Sequence, residues 1–411
     1  MANIICINCM KGTLNASGVC TACGKTDEEI KTSRRHLPLR TILRGKYLMG
    51  KVIGEGGFGI TYLGYDLDLE IRVAIKEFCP RDFAGRDVED GLTILPFDEE
   101  SAEFYEREKE KFINEAKRLA KFRGEQGIVS VLDYFQENGT AYIVMEYIDG
   151  ITLKKFRQMV GGTMEPEKVI TLMQPVMDGL SKLHASGIIH RDISPDNIMM
   201  DTAKQRIYLI DFGTAREVSP EEGRSMSVYK KGGYTPIEQQ SRHGKQGPWT
   251  DVYALCATMY RCMTGISIPE ANNRLMGEEL IKPSDMGIII SAQTEAALLR
   301  GLVVKPAERT QSITQLMEEL KEEAFDRMQE DLPVSAFSQN NYEWKETEPE
   351  VKPDFVQEVR SNATVTDLAR LESLMQEARR SFAKRKGFVA LRNIGILIMV
   401  GFTCFLLATF Y

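Results

Sequence analysis

The chain lacks an excess of positive charge. Its 411 residues carry 52 Lys and Arg against 59 Asp and Glu, which gives a formal net charge of −7. Nucleic-acid-binding proteins usually present a basic surface, so this balance does not favour nucleic acid as a partner. The first ten residues also lack the basic and apolar regions of a secretory signal peptide, and we expect none.

Cysteine is scarce, with eight residues in the chain. Four of them are paired by spacing, as C-x2-C, ten residues and a second C-x2-C: Cys6, Cys9, Cys20 and Cys23. The other four stand apart in apolar contexts and are expected to be buried free thiols: Cys79, Cys256, Cys262 and Cys404. This usage fits a reducing compartment better than a disulfide framework.

The paired cysteines lie within residues 1–26, which are too few to build a hydrophobic core. Two C-x2-C knuckles can complete a tetrahedral shell of thiolates, so a bound metal would supply the folding energy. The segment resembles a zinc ribbon, and we expect structural Zn²⁺ ahead of iron or a redox pair. Residues 27–46 are polar, become basic towards their end and are interpreted as a linker.

Residues 190–213 read H-R-D-I-S-P-D-N-I-M-M-D-T-A-K-Q-R-I-Y-L-I-D-F-G. The pattern predicts a loop, a short β-hairpin and a second tight loop, which together bring Asp192, Asn197 and Asp211 close to one another. One carboxylate can accept or orient a hydroxyl proton, while an amide oxygen and a second carboxylate are hard ligands suited to Mg²⁺. The stretch therefore predicts a phosphotransfer site.

A glycine-rich turn precedes this stretch, in G-E-G-G-F-G-I-T-Y-L-G at residues 54–64. Glycine lets the backbone approach phosphates and aim N–H groups at them. A Rossmann turn is the competing interpretation, but it opens a helix, whereas residues 60–65 continue as a strand. The next strand, Arg72–Glu77, carries Lys76 among apolar residues. The helix predicted over Ser101–Phe122 places Glu115 beside its apolar face, and Glu108 and Glu110 on a solvated, charged face.

Together these motifs resemble protein kinases, and most closely the bacterial Ser/Thr kinases of the eukaryotic type. The resemblance covers residues 47–328 and implies an α+β, two-lobed fold. A five-stranded antiparallel sheet with one helix would form the N-lobe, and helices would form most of the C-lobe. It also implies ATP and Mg²⁺ as cofactors, and transfer of the γ-phosphoryl group to Ser/Thr hydroxyls of proteins, including autophosphorylation in membrane-associated signalling.

The resemblance also assigns roles to single residues. Asp192 would hold the substrate hydroxyl and accept its proton, Asn197 and Asp211 would bind Mg²⁺, and Lys76 would contact the phosphates. The remaining nucleotide contacts would come from the glycine-rich turn, the lysine's helix partner and the hinge: Gly54, Glu55, Gly56, Gly57, Phe58, Gly59, Glu115, Glu146 and Ile148. The supporting residues would be His190 and Phe212 in the core, Asp251 as an anchor, and a Glu238–Arg309 ion pair.

Two departures from the kinase pattern keep a second interpretation open. Ser194 stands where Ser/Thr-specific members usually have lysine, and Ile237 replaces the proline of A-P-E. A missing cation weakens the stabilisation of transition-state charge. A nucleotide-binding pseudokinase scaffold at the membrane is therefore the alternative. Ser225 and Ser227 are either autophosphorylation sites or ordinary loop serines.

The C-terminal part changes composition three times. Residues 329–363 have the acidic, proline-containing composition of a linker, and residues 364–387 return to a helical pattern. That helix is either a short coiled coil promoting a homodimer or a plain juxtamembrane helix. Residues 388–411 include an 18-residue run without charge, with basic residues only upstream. They predict a single-pass anchor in the cell membrane and a cytoplasmic kinase domain.

Overall fold

The structure is a computed structural model that describes residues 4–212, 232–241 and 244–321. Ser225, Ser227 and Cys404, together with the segments predicted as acidic linker, juxtamembrane helix and membrane anchor, lie outside the described residues. Two lobes and a small cysteine-rich module make up the part that is described.

The upper lobe is built on a six-stranded antiparallel sheet in the order β1-β2-β3-β4-β9-β8. Its strands are β1 (Ile42–Leu43), β2 (Tyr47–Glu55), β3 (Gly59–Asp66), β4 (Ile71–Phe78), β8 (Val131–Glu137) and β9 (Thr140–Glu146). Five strands were predicted, and the sixth, β1, comes from the segment interpreted as a linker. β2 and β3 are joined directly through the glycine-rich turn, which confirms a strand-turn-strand rather than a Rossmann turn.

Helix α1 (Glu99–Leu119) packs on β8 and β9. Asp98 caps its N-terminus by accepting a hydrogen bond from the Ser101 N–H at 2.7 Å. The face that packs on the sheet is apolar and includes the buried Tyr105, Phe112 and Ala116. Between β4 and α1, the chain forms a hairpin of β5 (Ala84–Arg86) and β6 (Ile94–Pro96).

The lower lobe is mainly helical. Its helices are α2 (Leu153–Met159), α3 (Pro166–Ala185), α4 (Pro248–Thr264), α5 (Ala271–Leu275), α6 (Ala292–Gly301) and α7 (Ile313–Lys321). Pro166 occupies the first turn of α3, where its missing N–H costs nothing. Helix α4 is buried around nearly its whole circumference and contacts α3, α6 and α7, so it forms the centre of this lobe.

A second sheet includes two strands from the stretch 190–213 and has the order β10-β11-β12-β7. Its strands are β7 (Gly127–Ile128), β10 (Ile151–Thr152), β11 (Ile198–Asp201) and β12 (Arg206–Leu209). Residues 127–135 divide between two sheets, because β7 pairs in parallel with β12 whereas β8 pairs with β9. The chain leaves one sheet for the other at Val129 and Ser130.

The cysteine-rich module folds around two β-bridges, Ile5 with Thr13 and Leu14 with Cys20. It packs on the outer face of the upper lobe, where Ile7 and Met10 are buried against Leu48 and Leu63. The N–H of Lys51 in β2 also donates to the Ile7 carbonyl at 3.1 Å. Module and lobe therefore share a small apolar core.

Candidate active site

The loop between α3 and β11 is held from below by Asp251 of α4, which has no solvent exposure. Its two carboxylate oxygens accept the backbone N–H groups of His190 at 2.7 Å and Arg191 at 2.8 Å. One of them also contacts His184 Nε2 at 2.7 Å. These contacts confirm Asp251 as the anchor of the loop, give His184 a structural role and hold Arg191 at its positive φ of 69°.

His190 is a structural residue as well. Its ring lies 4.5 Å from that of Phe212, and both side chains are buried. Its Nε2 lies 3.1 Å from the Ile210 carbonyl, which can only accept, while its Nδ1 accepts the Asp192 N–H at 3.2 Å. The ring is therefore neutral, in agreement with burial, which lowers the pKa of His190.

Asp192 and Asn197 are locked to each other across the loop. The side-chain amide of Asn197 donates to the Asp192 carbonyl at 2.8 Å and to its carboxylate at 2.9 Å. The backbone of Asn197 is held on both sides, by the Ser194 carbonyl at 3.0 Å and the Ile210 N–H at 2.9 Å. Because the amide nitrogen is used internally, the amide oxygen is the atom available as a hard ligand.

Lys76 of β4 forms an ion pair with Asp211, whose backbone has a positive φ of 64° just after β12. Burial is the largest single effect on the pKa of Lys76 and lowers it. The carboxylate of Asp211, followed by those of Glu115 and Asp192, outweighs burial, so the pKa of Lys76 is raised and the ammonium stays charged. The structure thus brings the predicted lysine, helix glutamate and catalytic-loop aspartate into one electrostatic cluster.

The glutamates of α1 differ in ways that periodicity did not reveal. Glu110 is exposed, as predicted. The expectation that Glu108 lies on a solvated face is wrong, because its side chain is only 2% exposed and pairs with Lys111 at 2.9 Å. The β6 strand of the preceding hairpin packs against α1.

The glycine-rich turn between β2 and β3 is closed by the Gly56 N–H, which donates to the Gly59 carbonyl at 2.9 Å. A Cβ at Gly59 would lie 2.3 Å from the Glu77 carbonyl oxygen, so packing alone requires glycine there. A Cβ at Gly56 would meet nothing within 4 Å. Packing does not explain glycine at position 56, whereas close approach of a phosphate to the backbone would.

The predicted hinge follows β9. The Glu146 N–H donates to the Ser130 carbonyl at 2.9 Å, so this N–H is already engaged within the protein. Ile148 is buried, and Met145 packs at the edge of the core. The following residue, Asp149, pairs with Arg72 of β4 and with Lys11 of the cysteine-rich module, both at 3.0 Å.

The Glu238–Arg309 ion pair is present and buried. Arg309 Nη1 lies 2.7 Å and Nη2 3.1 Å from the two carboxylate oxygens of Glu238. Gln239, next in the chain, donates through its side chain to the Arg191 carbonyl at 2.8 Å. The segment that contains Ile237 is thereby connected both to the lobe core and to the catalytic loop.

The four predicted metal ligands lie together, with their sulfur atoms within 4.8 Å of one another. The Sγ atoms of Cys6 and Cys23 are 3.8 Å apart, and those of Cys9 and Cys20 are 3.7 Å apart. Sulfurs bound tetrahedrally to zinc at about 2.3 Å would be about 3.8 Å apart. Burial raises the pKa of Cys20, but backbone N–H groups at Cys23 and Ala22 and neighbouring thiols outweigh it and lower the value to about 7.

Sequence reasoning missed a set of contacts around Glu55 and Glu77. Arg35 and His36 both contact the carboxylate of Glu55 in the glycine-rich turn. Glu77, next to Lys76, is fully buried and pairs with Arg86 of β5 at 2.5 Å. The signal available for the first set was the basic run before the kinase motifs. For Glu77 it was an acidic residue inside an apolar strand, which must find a partner.

Ser194 has no solvent exposure, whereas Asp196 two residues later is exposed and pairs with Lys154 of α2 at 3.1 Å. Serine at position 194 is thus part of the loop's interior.

The two-lobed architecture and this constellation define a phosphotransferase of the kinase type. Residues 47–324 match the family described as "Protein kinase domain", which is more than half of the chain. The chain therefore belongs to the protein kinase family.

Relatives of this chain include bacterial kinases. Serine/threonine-protein kinase PrkC of Bacillus subtilis (strain 168) is 32% identical over 227 residues, which cover 54% of this chain and 31% of PrkC. Serine/threonine-protein kinase PknB of Mycobacterium tuberculosis is 30% identical over 295 residues, which cover 68% of this chain and 43% of PknB. The chain thus spans less than half the length of these curated relatives. Their kinase domains support Ser/Thr phosphotransfer for this one.

Solved structures agree on the fold. The structure titled "PpkA-294 apo form" is 33% identical, has a TM-score of 0.59 and aligns over 70% of this chain and 100% of its own. The PknI kinase domain of Mycobacterium tuberculosis (C20A mutant) is 22% identical with a TM-score of 0.51, and shows the fold alone. Within the described residues, no helix has the length and apolar character needed to cross a bilayer.

Proposed function

We propose that this chain is an ATP- and Mg²⁺-dependent protein kinase that phosphorylates Ser/Thr hydroxyls of proteins, itself included. The observation that carries the proposal is the arrangement of Asp192, Asn197, Asp211 and Lys76. Two carboxylates, one amide oxygen and a charged ammonium converge on a loop that a buried aspartate holds rigidly. That donor set matches magnesium phosphates and a hydroxyl nucleophile.

Each residue has a distinct task in this proposal. Asp192 orients the substrate hydroxyl and accepts its proton, and its position is fixed by the amide of Asn197. Asn197 and Asp211 supply oxygen ligands for Mg²⁺, which neutralises phosphate charge when bound. Lys76 contributes a fixed positive charge, because its raised pKa keeps it protonated. Glu115 supports that charge from α1. Catalysis is then mostly positioning and charge neutralisation.

Ser194 favours a second candidate, a nucleotide-binding scaffold without transfer activity. The two are separated by incubating the full chain with Mg²⁺ and γ-labelled ATP, with Asp192→Asn as the matched control. The kinase proposal expects label on the chain or on a generic protein substrate, reduced about a hundredfold to ten-thousandfold in Asp192→Asn. Unlabelled wild type that still binds ATP would establish the scaffold instead.

The cysteine cluster is proposed as a structural zinc site. Its support is the spacing of the four sulfurs and the N–H groups directed at Cys20 Sγ from Ala22 and Cys23, at 3.3 and 3.4 Å. Metal analysis of the full chain should find about one zinc per chain. Cys20→Ser should lose it, whereas Cys262→Ser, at a buried cysteine outside the cluster, should keep it. Equal metal content in the two variants would contradict the assignment.

Attachment to the cell membrane and homodimer formation rest on the sequence of residues 364–411. The full chain should sediment with membranes and resist high salt, whereas a chain lacking residues 388–411 should not. Release of the full chain by high salt would indicate electrostatic binding at the membrane surface rather than an inserted anchor. A dimer would appear as a doubled mass in detergent, and a monomer would assign residues 364–387 as a plain helix.

A further inference from the structure

The segment 33–37 precedes the matched kinase domain but is built into the upper lobe. Leu37 is buried, and its N–H donates to the hydroxyl of Tyr62 in β3 at 3.0 Å. The Arg35 carbonyl accepts from Arg86 Nε at 2.9 Å. Arg86 is itself fixed by Glu77, which also accepts the hydroxyls of Tyr62 and Tyr142 at 3.0 and 2.8 Å. The backbone of the segment therefore rests on a buried, fully paired network.

From this base, the Arg35 side chain reaches two parts of the proposed ATP site. Its Nη1 lies 2.5 Å from Glu55 Oε1, and its Nη2 donates to the Cys79 carbonyl at 2.8 Å. Glu55 is in the glycine-rich turn, and Cys79 follows the strand that carries Lys76. One guanidinium thus spans the two elements that would contact the phosphates.

Glu55 is the one charged residue within G-E-G-G-F-G, so it is the natural attachment point for the turn. Both of its oxygens are engaged, Oε2 by His36 Nε2 at 3.2 Å and Oε1 by Arg35 and by Arg81 at 3.2 Å. A glycine-rich turn gains much conformational freedom when released, so an attachment at Glu55 restricts where its N–H groups point.

We propose that Arg35, assisted by His36, is a positioning residue that holds the glycine-rich turn at the correct distance from Lys76 for ATP to bind. The segment before the matched domain would then be part of the nucleotide site. The proposal rests on the proposed function, since it assumes that ATP occupies this cleft. It predicts an effect on nucleotide affinity and not on the transfer step, because the side-chain partners of Arg35 among the residues that the structure describes are Glu55 and Cys79, which lie outside the catalytic loop.

The test compares Arg35→Ala with Arg34→Ala in the full chain. Arg34 is an exposed neighbour of the same type, with no ion pair or hydrogen bond recorded among the described residues. Arg35→Ala should raise the KM for ATP and the Kd of a fluorescent ATP analogue about three- to fivefold, with kcat changed less than about twofold. Arg34→Ala should leave all three values unchanged.

A second pair of variants protects the test against simple unfolding. Glu55→Gln should raise KM by a similar factor, and the double variant Arg35→Ala/Glu55→Gln should raise it by less than the product of the two single factors, because both changes disrupt the shared Arg35–Glu55 pair. Additive effects, or equal KM and Kd in Arg35→Ala and Arg34→Ala, would overturn the proposal.

The two proposals can fail separately. Wild type that binds the analogue without transferring phosphate overturns the kinase proposal, while the Kd comparison still decides the role of Arg35. Wild type that transfers phosphate with no Kd difference between the two arginine variants overturns only the role of Arg35. Wild type that binds no analogue overturns both.

Discussion

Two loops converge on the proposed ATP site, and their anchors differ in burial. The catalytic loop is fixed by Asp251, which has no exposure and accepts two backbone N–H groups. The glycine-rich turn is fixed at Glu55 by Arg35, and these side chains are 29% and 23% exposed. Buried contacts are stronger than exposed ones. Removing one partner of a buried contact also costs more, because the other partner stays buried and unsatisfied. We therefore expect the catalytic loop to be rigid and the glycine-rich turn to adjust its position when a nucleotide binds.

The largest expected effect comes from removing the buried anchor. Asp251→Ala leaves the N–H groups of His190 and Arg191 and the ring of His184 without their acceptor. At about 1–3 kcal/mol for each unsatisfied buried group, we expect a loss of about 3–5 kcal/mol in the free energy of unfolding, together with loss of transferase activity. Denaturant unfolding with Asp251→Asn as a milder control checks this. A loss below about 1 kcal/mol would show that the loop is held elsewhere.

Next in size is the buried pair of the lower lobe. Arg309→Ala leaves Glu238 charged and buried, and we expect it to cost about 3 kcal/mol of unfolding free energy. The double change Arg309→Met/Glu238→Gln should cost less than Arg309→Ala, because no unpaired charge remains. Arg35→Ala, at the exposed pair, should cost no more than about 1 kcal/mol. Equal costs at the two pairs would remove the contrast between the lobes.

The parts of the site that could be predicted from the sequence are those placed by contacts between residues close together in the chain. Asp192, Asn197 and Asp211 are placed by one short loop-hairpin-loop, so their spacing in the sequence sufficed to bring them together. Lys76 and Glu115 required only a strand and a helix face. Five of the six strands of the upper sheet were predicted. The exception is β1, which has only two residues and is too short to show a strand pattern of its own.

Other features depend on tertiary contacts that the local sequence does not indicate. Glu108 is buried and pairs with Lys111, although helical periodicity places it on the solvated face. The apolar run over residues 127–135 forms two strands rather than one, because its two halves pair in different sheets. Arg35 meets Glu55 across 20 positions of the chain, and only the tertiary fold selects it over Arg34.

Within the glycine-rich turn, two glycines should respond differently to the same methyl group. Gly59→Ala places a Cβ 2.3 Å from the Glu77 carbonyl oxygen, so β3 must shift, at a cost of about 1–3 kcal/mol. Gly56→Ala meets no atom within 4 Å and should leave stability nearly unchanged while raising the KM for ATP. Thermal unfolding and ATP titration of the two variants check this. Loss of stability in Gly56→Ala would argue that position 56 is structural.

The smallest effect is the pH dependence of the exposed anchor. Burial is the largest single effect on the pKa of Glu55 and raises it. The contacts from His36, Arg35 and Arg81 outweigh burial, so the pKa lies below its usual range. A carboxylate with a lowered folded-state pKa stabilises the fold above its unfolded pKa of about 4.3, and this contribution is lost as the pH falls through the folded value.

The comparison of wild type with Glu55→Gln isolates this contribution, and repeating it in a His36→Gln background removes the histidine contact to Glu55. Because the pair is partly exposed, the difference in unfolding free energy should not exceed about 1 kcal/mol. It should be constant between about pH 6 and 8 in the His36→Gln background and shrink below about pH 4. Urea unfolding across this range measures it. A difference in unfolding free energy that stays the same down to about pH 3 would mean that Glu55 holds the turn by packing rather than by charge. The anchors of the two loops would then differ less than their burial indicates.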